Sequence, residues 1–270
     1  MDIIENLNKE QREAVEHIDG PCLVLAGAGS GKTKVLTTRI ANMINKGIYS
    51  GNILAITFTN KAAKEMRDRI SRIVSENYAF VGTFHSFGLR VIRENYELMG
   101  LSKNFTIIDS DDVASIIKKI MKEFDINPKE YSVSFIRNKI SFIKNEMLSD
   151  GEVDKYLNSP PEKVAVKVYQ KILRRNNAVD FDDLLKRPVE LFLRNEDVLD
   201  KYQEKFKYIL IDEYQDTNEV QYKLVKLLAS KYRNLFVVGD VNQSIYGFRW
   251  SNYKNILNFE EDYPEAVSIT

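Results

Sequence analysis

Leu23-Val-Leu-Ala-Gly-Ala-Gly-Ser-Gly-Lys-Thr33 puts a glycine-rich turn directly after an apolar run and directly before the helical stretch Lys34 to Met43. Gly27, Gly29 and Gly31 allow backbone N–H groups to turn inward around a chain of phosphates, and the positive N-terminus of the following helix adds to the same field. Gly27, Ala28, Gly29, Ser30, Gly31, Lys32, Thr33 and Lys34 are therefore candidate nucleotide-binding residues. Lys32 is placed to reach the β- and γ-phosphates and the Thr33 hydroxyl to ligate Mg²⁺. The general form G-x-x-x-x-G-K-[ST] has glycine where this chain has Ala26. The bland alternative is a glycine-rich strand-to-helix turn followed by a chance Lys-Thr; the flanking strand and helix argue against it.

Working outward from that loop, short apolar runs recur with long helical patterns between them: Cys22 to Ala26, Ile53 to Thr57, Phe80 to Thr83, Tyr208 to Ile211 and Leu235 to Gly239. The runs are nearly continuous in apolar residues where a half-exposed sheet would alternate, so they are predicted to be central strands of a parallel sheet covered on both faces by helices. From 109 to 178 the strand-like runs stop. Asp109-Ser110-Asp111-Asp112 supplies capping oxygens, and Val113, Ile116, Ile117, Ile120, Met121 and Phe124 follow at helical spacing. Val133, Ile136, Ile140, Ile143 and Met147 repeat the pattern, and Ser159-Pro160-Pro161 opens a further helix. The predicted architecture is α/β, a P-loop domain with a parallel central sheet interrupted by an all-helical insert. Its predicted parts are 1–108 and 179–270 for the ATP-binding domain and 109–178 for the insert.

A second chemical feature lies in the fourth run. Tyr208-Ile-Leu-Ile-Asp-Glu-Tyr-Gln-Asp216 carries a strand straight into two adjacent carboxylates at its C-terminal end, where open α/β sheets keep their ligands. Asp212 is placed to hold Mg²⁺ through its water shell, and Glu213 to orient or deprotonate the water that attacks the γ-phosphate. A strand ending in Asp-Glu is often only a strand meeting solvent; the phosphate loop upstream gives this one its functional reading.

The bulk properties set outer limits. With 270 residues, 44% hydrophobic and 29% charged, the chain has ordinary globular composition, and no apolar run approaches the roughly 18 residues of a membrane span. Lys plus Arg and Asp plus Glu balance at 39 each, so nucleic-acid binding would have to come from a local surface and not from a global positive field. The start Met1-Asp-Ile-Ile-Glu-Asn has no export signal, and the single Cys22 has no intramolecular disulfide partner; both point to a cytoplasmic setting.

With these residues in view, the chain resembles the UvrD/Rep/PcrA-type DNA helicases of superfamily 1. Leu7-Asn-Lys-Glu-Gln-Arg-Glu-Ala14 is similar to the family's Q motif, which implies that Gln11 reads the adenine edge. The loop is similar to motif I, where Ala at the first position is usual. Thr57-Phe-Thr-Asn-Lys-Ala-Ala63 resembles motif Ia and Gly82-Thr-Phe-His-Ser-Phe87 motif Ib, both on the family's DNA track. Asp180-Phe-Asp-Asp-Leu-Leu185 resembles the segment that re-enters the first motor domain after its insert. Asp212-Glu-Tyr-Gln-Asp216 is similar to motif II and Gly239-Asp-Val-Asn-Gln-Ser-Ile-Tyr-Gly-Phe-Arg249 to motif III. The resemblance implies a RecA-like domain 1A interrupted by a helical domain 1B, with ATP and Mg²⁺ as cofactors.

It further implies a grip on single-stranded DNA beside a duplex junction, moved 3′ to 5′. Phe58, Tyr246 and Phe248 are the candidate base-stacking residues, stacking being tolerant of sequence because every base has a π-face. Asn60, Thr83, His85 and Arg249 are candidates for phosphate or sugar contacts; His85 is not expected to bind metal. Gln243 joins Glu213 and Lys32 among the expected catalytic residues, as the side chain that senses the γ-phosphate and couples hydrolysis to DNA movement. Three departures stand out. Phe248 replaces a frequent Trp, with Trp250 following where Gly is common, so either aromatic can be the stacking one. Lys34 replaces a frequent Arg and offers only a point charge. Asn242 replaces a common Asp.

The segment 263–270 reads as the approach to another strand, and the family's motifs IV to VI have no counterpart before Thr270. A C-terminal motor domain is therefore an expected partner, and this stretch by itself is expected to be nearly inactive. Two readings stay open beside the helicase: the motor part of a helicase-nuclease subunit, and a nucleotide-gated interaction module.

Overall fold

The computed structural model describes residues 3–240 and 254–270. Its strands are β1 (Cys22–Leu25), β2 (Ile53–Thr57), β3 (Phe80–Thr83), β4 (Thr106–Ile107), β5 (Ala178–Val179), β6 (Tyr208–Ile211), β7 (Asn234–Gly239) and β8 (Val267–Ile269). Helices α1 (Lys9–Glu16), α2 (Lys32–Asn45), α3 (Asn60–Ser71) and α4 (Phe84–Asn95) come first, followed by α5 (Ser110–Glu123), α6 (Val133–Asn145), α7 (Asp150–Tyr156) and α8 (Pro160–Arg175). The last are α9 (Asp183–Arg194), α10 (Glu196–Lys205), α11 (Glu219–Ala229), α12 (Lys254–Leu257) and α13 (Phe259–Asp262). The chain forms two compact units, one from Met1–Phe87 with Phe192–Thr270 and one from Gly88–Leu191.

In the first unit six strands are ordered β3-β2-β6-β7-β1-β8, and every pair is parallel. The near-continuous apolar runs are explained by burial on both faces: all five residues of β2 and the last five of β7 are buried. Leu25 pairs with Gly239, Ile211 with Val237 and Thr57 with Thr83, so the C-terminal ends of these strands form one edge. The expected strand near the end of the chain is β8, which pairs with β1. A core of Val24, Ile40, Met43, Ile53, Ala55, Met66, Ile70, Leu210, Phe236 and Val238 joins α2 and α3 to the sheet.

Within that core Arg39 is only 2% exposed. Its guanidinium lies 4.2 Å over the Phe236 ring and donates to the carbonyls of Ala14 (3.0 Å), Ile18 (3.1 Å) and His17. Those carbonyls close the C-terminal end of α1, so a residue of α2 caps the helix that carries Gln11. Burial lowers the Arg39 pKa to about 10, which leaves it charged at neutral pH.

The second unit is nearly all helix, with β4 and β5 forming a two-stranded parallel ladder. The capping oxygens act as read: Asp109 and Asp112 form a capping box on α5, and Ser159 caps α8 with Pro160 in its first turn. The unit is wider than the stretch 109–178 that helical periodicity marks, because its boundaries fall inside α4 and α9. Gly88 permits close approach there, since a β-carbon would lie 1.8 Å from the Leu184 carbonyl oxygen. Asp180 and Asp183 are tied to Lys144 of α6 at 2.6 and 3.0 Å, and the Tyr169 hydroxyl donates to Asp180. Burial opposes the Lys144 charge, yet Asp183 and Asp180 outweigh it and hold the ammonium above its ordinary pKa. The Asp180-Phe-Asp-Asp segment therefore anchors to the helical unit through a buried ion cluster.

Candidate nucleotide-binding site

The loop leaves β1 with the Ala26 N–H donating to the Gly239 carbonyl (3.1 Å), and Ser30 N–H closes a turn on the Gly27 carbonyl (3.3 Å). Gly29 and Gly31 have φ of 77° and 82°, the left-handed region that glycine tolerates, whereas Gly27 has no positive φ. Gly31 is constrained twice, because a β-carbon there would also lie 3.0 Å from Gln11 Nε2. No side chain caps the 14-residue helix α2, whose N-cap is Gly31, so its first-turn amides face the exposed loop without a side-chain acceptor. Gly27, Ala28, Gly29 and Ser30 are exposed, and Thr33 is half-buried in the first turn of α2.

Lys32 Nζ donates to the Ala26 carbonyl (3.3 Å) and stands 3.8 Å from the Asp240 carboxylate. Lys34 Nζ donates to the Asn6 carbonyl (2.9 Å). The Gln11 amide is engaged at both ends: Nε2 donates to the Ser30 carbonyl (2.9 Å), while Oε1 accepts from Asn8 N–H (3.2 Å) in the capping box of α1. The segment before β1 and the phosphate loop are thus joined by two side chains, one from each side.

Asp212 continues β6 with its N–H on the Ile56 carbonyl (3.0 Å) and is 7% exposed. Burial first, and the Glu213 charge second, push its carboxyl up to about 6 from an ordinary 3.8, while Lys32 acts in the opposite direction. Glu213 follows with φ 50° and ψ 46°, a left-handed backbone in a non-glycine residue that costs on the order of 1–3 kcal/mol. Its N–H donates to Asp212 Oδ1 (2.9 Å). Asp216 is exposed; burial and Glu213 raise its carboxyl and Lys32 lowers it. Because β7 lies between β1 and β6, Asp240 at its end sits between the lysine loop and the acidic pair.

Asp212 allows a signed pH test. Its folded-state pKa is the higher one, so the native chain holds this proton more tightly than the unfolded chain does. The ionised carboxylate therefore costs stability, by an amount that grows as pH rises from about 4 and is complete above about 6. Asp212→Asn is expected to raise the Tm at pH 8, through roughly 2–3 kcal/mol of added stability, and to leave it nearly unchanged at pH 4. Thermal melts without divalent metal at the two pH values check this; a lower Tm for the variant at pH 8 contradicts it.

The expected DNA residues that fall in the described chain gather at the C-terminal ends of β2 and β3. Phe58 is half-buried and meets the Phe84 ring edge-on at 5.3 Å. Asn60 is exposed at the start of α3, behind the Thr59 cap. His85 is half-buried in the first turn of α4. Thr83 is only 8% exposed, and its hydroxyl accepts from Ser86 N–H (3.1 Å), a helix-start bond that sequence reading did not anticipate. All six strands being parallel, these residues share an edge with the phosphate loop, and β2 is three strand spacings from β1, about 15 Å. Gln243, Tyr246, Phe248 and Arg249, with Asn242 and Trp250, lie outside the described residues.

Sequence reading missed two contributors. Gln215 links Glu213 to the backbone of Asp240, and Arg39 fixes the helix of Gln11; the first needed the turn after β6 to be known, the second a packing partner for an arginine on an apolar helix face.

A parallel sheet with a lysine-bearing glycine loop after β1 and an acidic strand end at β6 defines a RecA-like P-loop fold. The chain belongs to the UvrD/REP helicase N-terminal domain family, which matches residues 7–264. It is 48% identical over 273 aligned residues to a protein named ATP-dependent DNA helicase PcrA from Staphylococcus epidermidis (strain ATCC 35984), covering 99% of this chain and 37% of that protein. The protein of the same name from Staphylococcus aureus (strain Mu50) is 47% identical with the same coverage. The chain thus spans 37% of the length of these curated relatives. Among the described residues no helix is long and apolar enough to cross a membrane.

Proposed function

We propose that this chain is the ATP-binding part of an ATP-dependent DNA helicase that moves 3′ to 5′ along single-stranded DNA toward a duplex junction, in the cytoplasm. The observation that carries the reading is the meeting of three strand ends: Lys32 after β1, Asp240 after β7 and Asp212-Glu213 after β6. In the working state Lys32 exchanges the Ala26 carbonyl and Asp240 for the β- and γ-phosphates, and the loop amides and the start of α2 hold the remaining phosphate oxygens. Gln11 would release the Ser30 carbonyl in order to read the adenine edge. Glu213 accepts the proton of the attacking water. Gln243 senses the γ-phosphate, and Phe58 with the aromatics of 246–248 holds the bases.

The residues fit Mg²⁺. Among the described residues no three His, Cys, Asp or Glu side chains gather into a metal cage. Mg²⁺ does not ask for one, being commonly held by one or two protein oxygens together with phosphates and water. A carboxylate whose ionisation is opposed by burial and by Glu213 is a position that a cation stabilises, so Asp212 and the Thr33 hydroxyl would hold the ion. When bound, it neutralises charge developing on the transferred phosphoryl group.

We place the C-terminal motor domain, with the arginines that complete the pocket, in the chain's full-length form. Such arginines contribute about 10³–10⁵ in rate, so residues 1–270 alone should bind Mg·ATP weakly and turn it over slowly. The test is ATP turnover and strand displacement by the full-length protein. The expected result is turnover stimulated by single-stranded DNA and unwinding of a duplex with a 3′ tail but not a 5′ tail; turnover indifferent to DNA, or unwinding from the 5′ tail alone, overturns the reading.

A further inference from the structure

Gln215 is 1% exposed, directly beyond the acidic pair, and both ends of its amide are used. Nε2 donates to Glu213 Oε2 at 2.6 Å, and Oε1 accepts the backbone N–H of Asp240 at 3.0 Å. The amide has one workable orientation, because a flip would set its carbonyl against the Glu213 carboxylate and its NH₂ against the Asp240 N–H. The fold keeps a slot for it: at Gly239 a β-carbon would lie 3.0 Å from Gln215 Oε1 and 2.9 Å from Ile256 Cδ1. The turn that carries it is held independently, by the Thr217 hydroxyl on the Tyr214 carbonyl (2.7 Å) and by Asn255 on the Thr217 carbonyl (3.3 Å).

We propose that Gln215 is a positioning residue for ATP hydrolysis, anchored on the end of β7 and holding the Glu213 carboxylate so that Oε1 is the oxygen presented to the attacking water. This rests on the reading of Glu213 as the proton acceptor. A glutamate side chain that is half-exposed has several rotamers, of which few direct an oxygen at an in-line water. A short charge-assisted hydrogen bond to Oε2 selects among them and keeps that oxygen occupied. The anchor lies on the strand between the phosphate loop and the acidic pair, so the orientation of Glu213 is referred to the same backbone that places Asp240 beside Lys32.

The test is a double-mutant cycle in the full-length protein at saturating single-stranded DNA. Gln215→Met is expected to lower kcat about 10²-fold while KM for ATP and affinity for a fluorescent ATP analogue change by less than about twofold. In a Glu213→Gln background the same substitution is expected to cost nothing further, because the group it positions is gone. An unchanged kcat, or an equal loss in both backgrounds as for a merely structural residue, overturns the proposal. Should Met impair folding, Gln215→Asn stays polar but its shorter arm cannot span Glu213 and the Asp240 N–H together; a wild-type kcat for that variant also overturns it. Full turnover by Glu213→Gln alone would instead remove the reading of Glu213, and the positioning role with it.

Discussion

Replacing Glu213 by Gln is expected to reduce DNA-stimulated ATP turnover of the full-length protein by about 10²–10⁴-fold, the range a positioned general base supplies, while Mg·ATP binding stays close to wild type. Gln has the size of Glu and keeps an oxygen for the Gln215 NH₂, so the short turn from Tyr214 to Asp216 should survive. It has no basic oxygen with which to take a proton from water. The left-handed backbone at Glu213 belongs to the site and not to the side chain's charge, since the 213 N–H still bonds Asp212. A steady-state assay alongside an equilibrium titration with a fluorescent ATP analogue separates the two effects. Turnover within about threefold of wild type would remove Glu213 from the chemistry.

The parts of this molecule that were legible in the sequence are those set by local pattern. Continuous apolar runs marked β1, β2, β3, β6 and β7 because strands buried on both faces have no polar side to display. Gly29 and Gly31 were legible because left-handed backbone leaves glycine as the easy choice, whereas Gly27, which has ordinary φ and open space beside it, carries no such constraint. What stayed hidden depends on neighbours distant in sequence. Lys144 interrupts the apolar stripe from Val133 to Met147 and looks like a solvent-facing residue, yet it is 1% exposed because Asp180 and Asp183 meet it from 36 and 39 positions away. Gln215 reads as one more polar residue of an acidic turn; only the adjacency of β6 and β7 turns it into a bridge. The helical unit extends past 109–178 for the same reason, since contacts and not periodicity assign Gly88 and Leu191 to it.

The lysine of the loop carries the second large expected effect. Lys32 is mostly buried, with its side chain 11% exposed, and stands beside a carboxylate that is 4% exposed. Its ammonium is therefore already desolvated and restrained, and in the proposed role little further ordering would be required for phosphate to replace Asp240. Truncating one member of a buried charge pair costs about 2–5 kcal/mol in binding, which is roughly 30- to 5,000-fold in affinity. Lys32→Ala also removes the attraction that Lys32 exerts on Asp212 and Asp216, so both carboxyls should hold their protons more tightly in the variant.

Calorimetric titration of the full-length protein and of its Lys32→Ala variant with ATP, each with and without Mg²⁺, tests the convergence of loop and acidic strand end most directly. The expected result is Mg²⁺-strengthened ATP binding by the native protein, lowered about 10²-fold in the variant. ATP binding that is the same for both proteins and indifferent to Mg²⁺ would contradict the account.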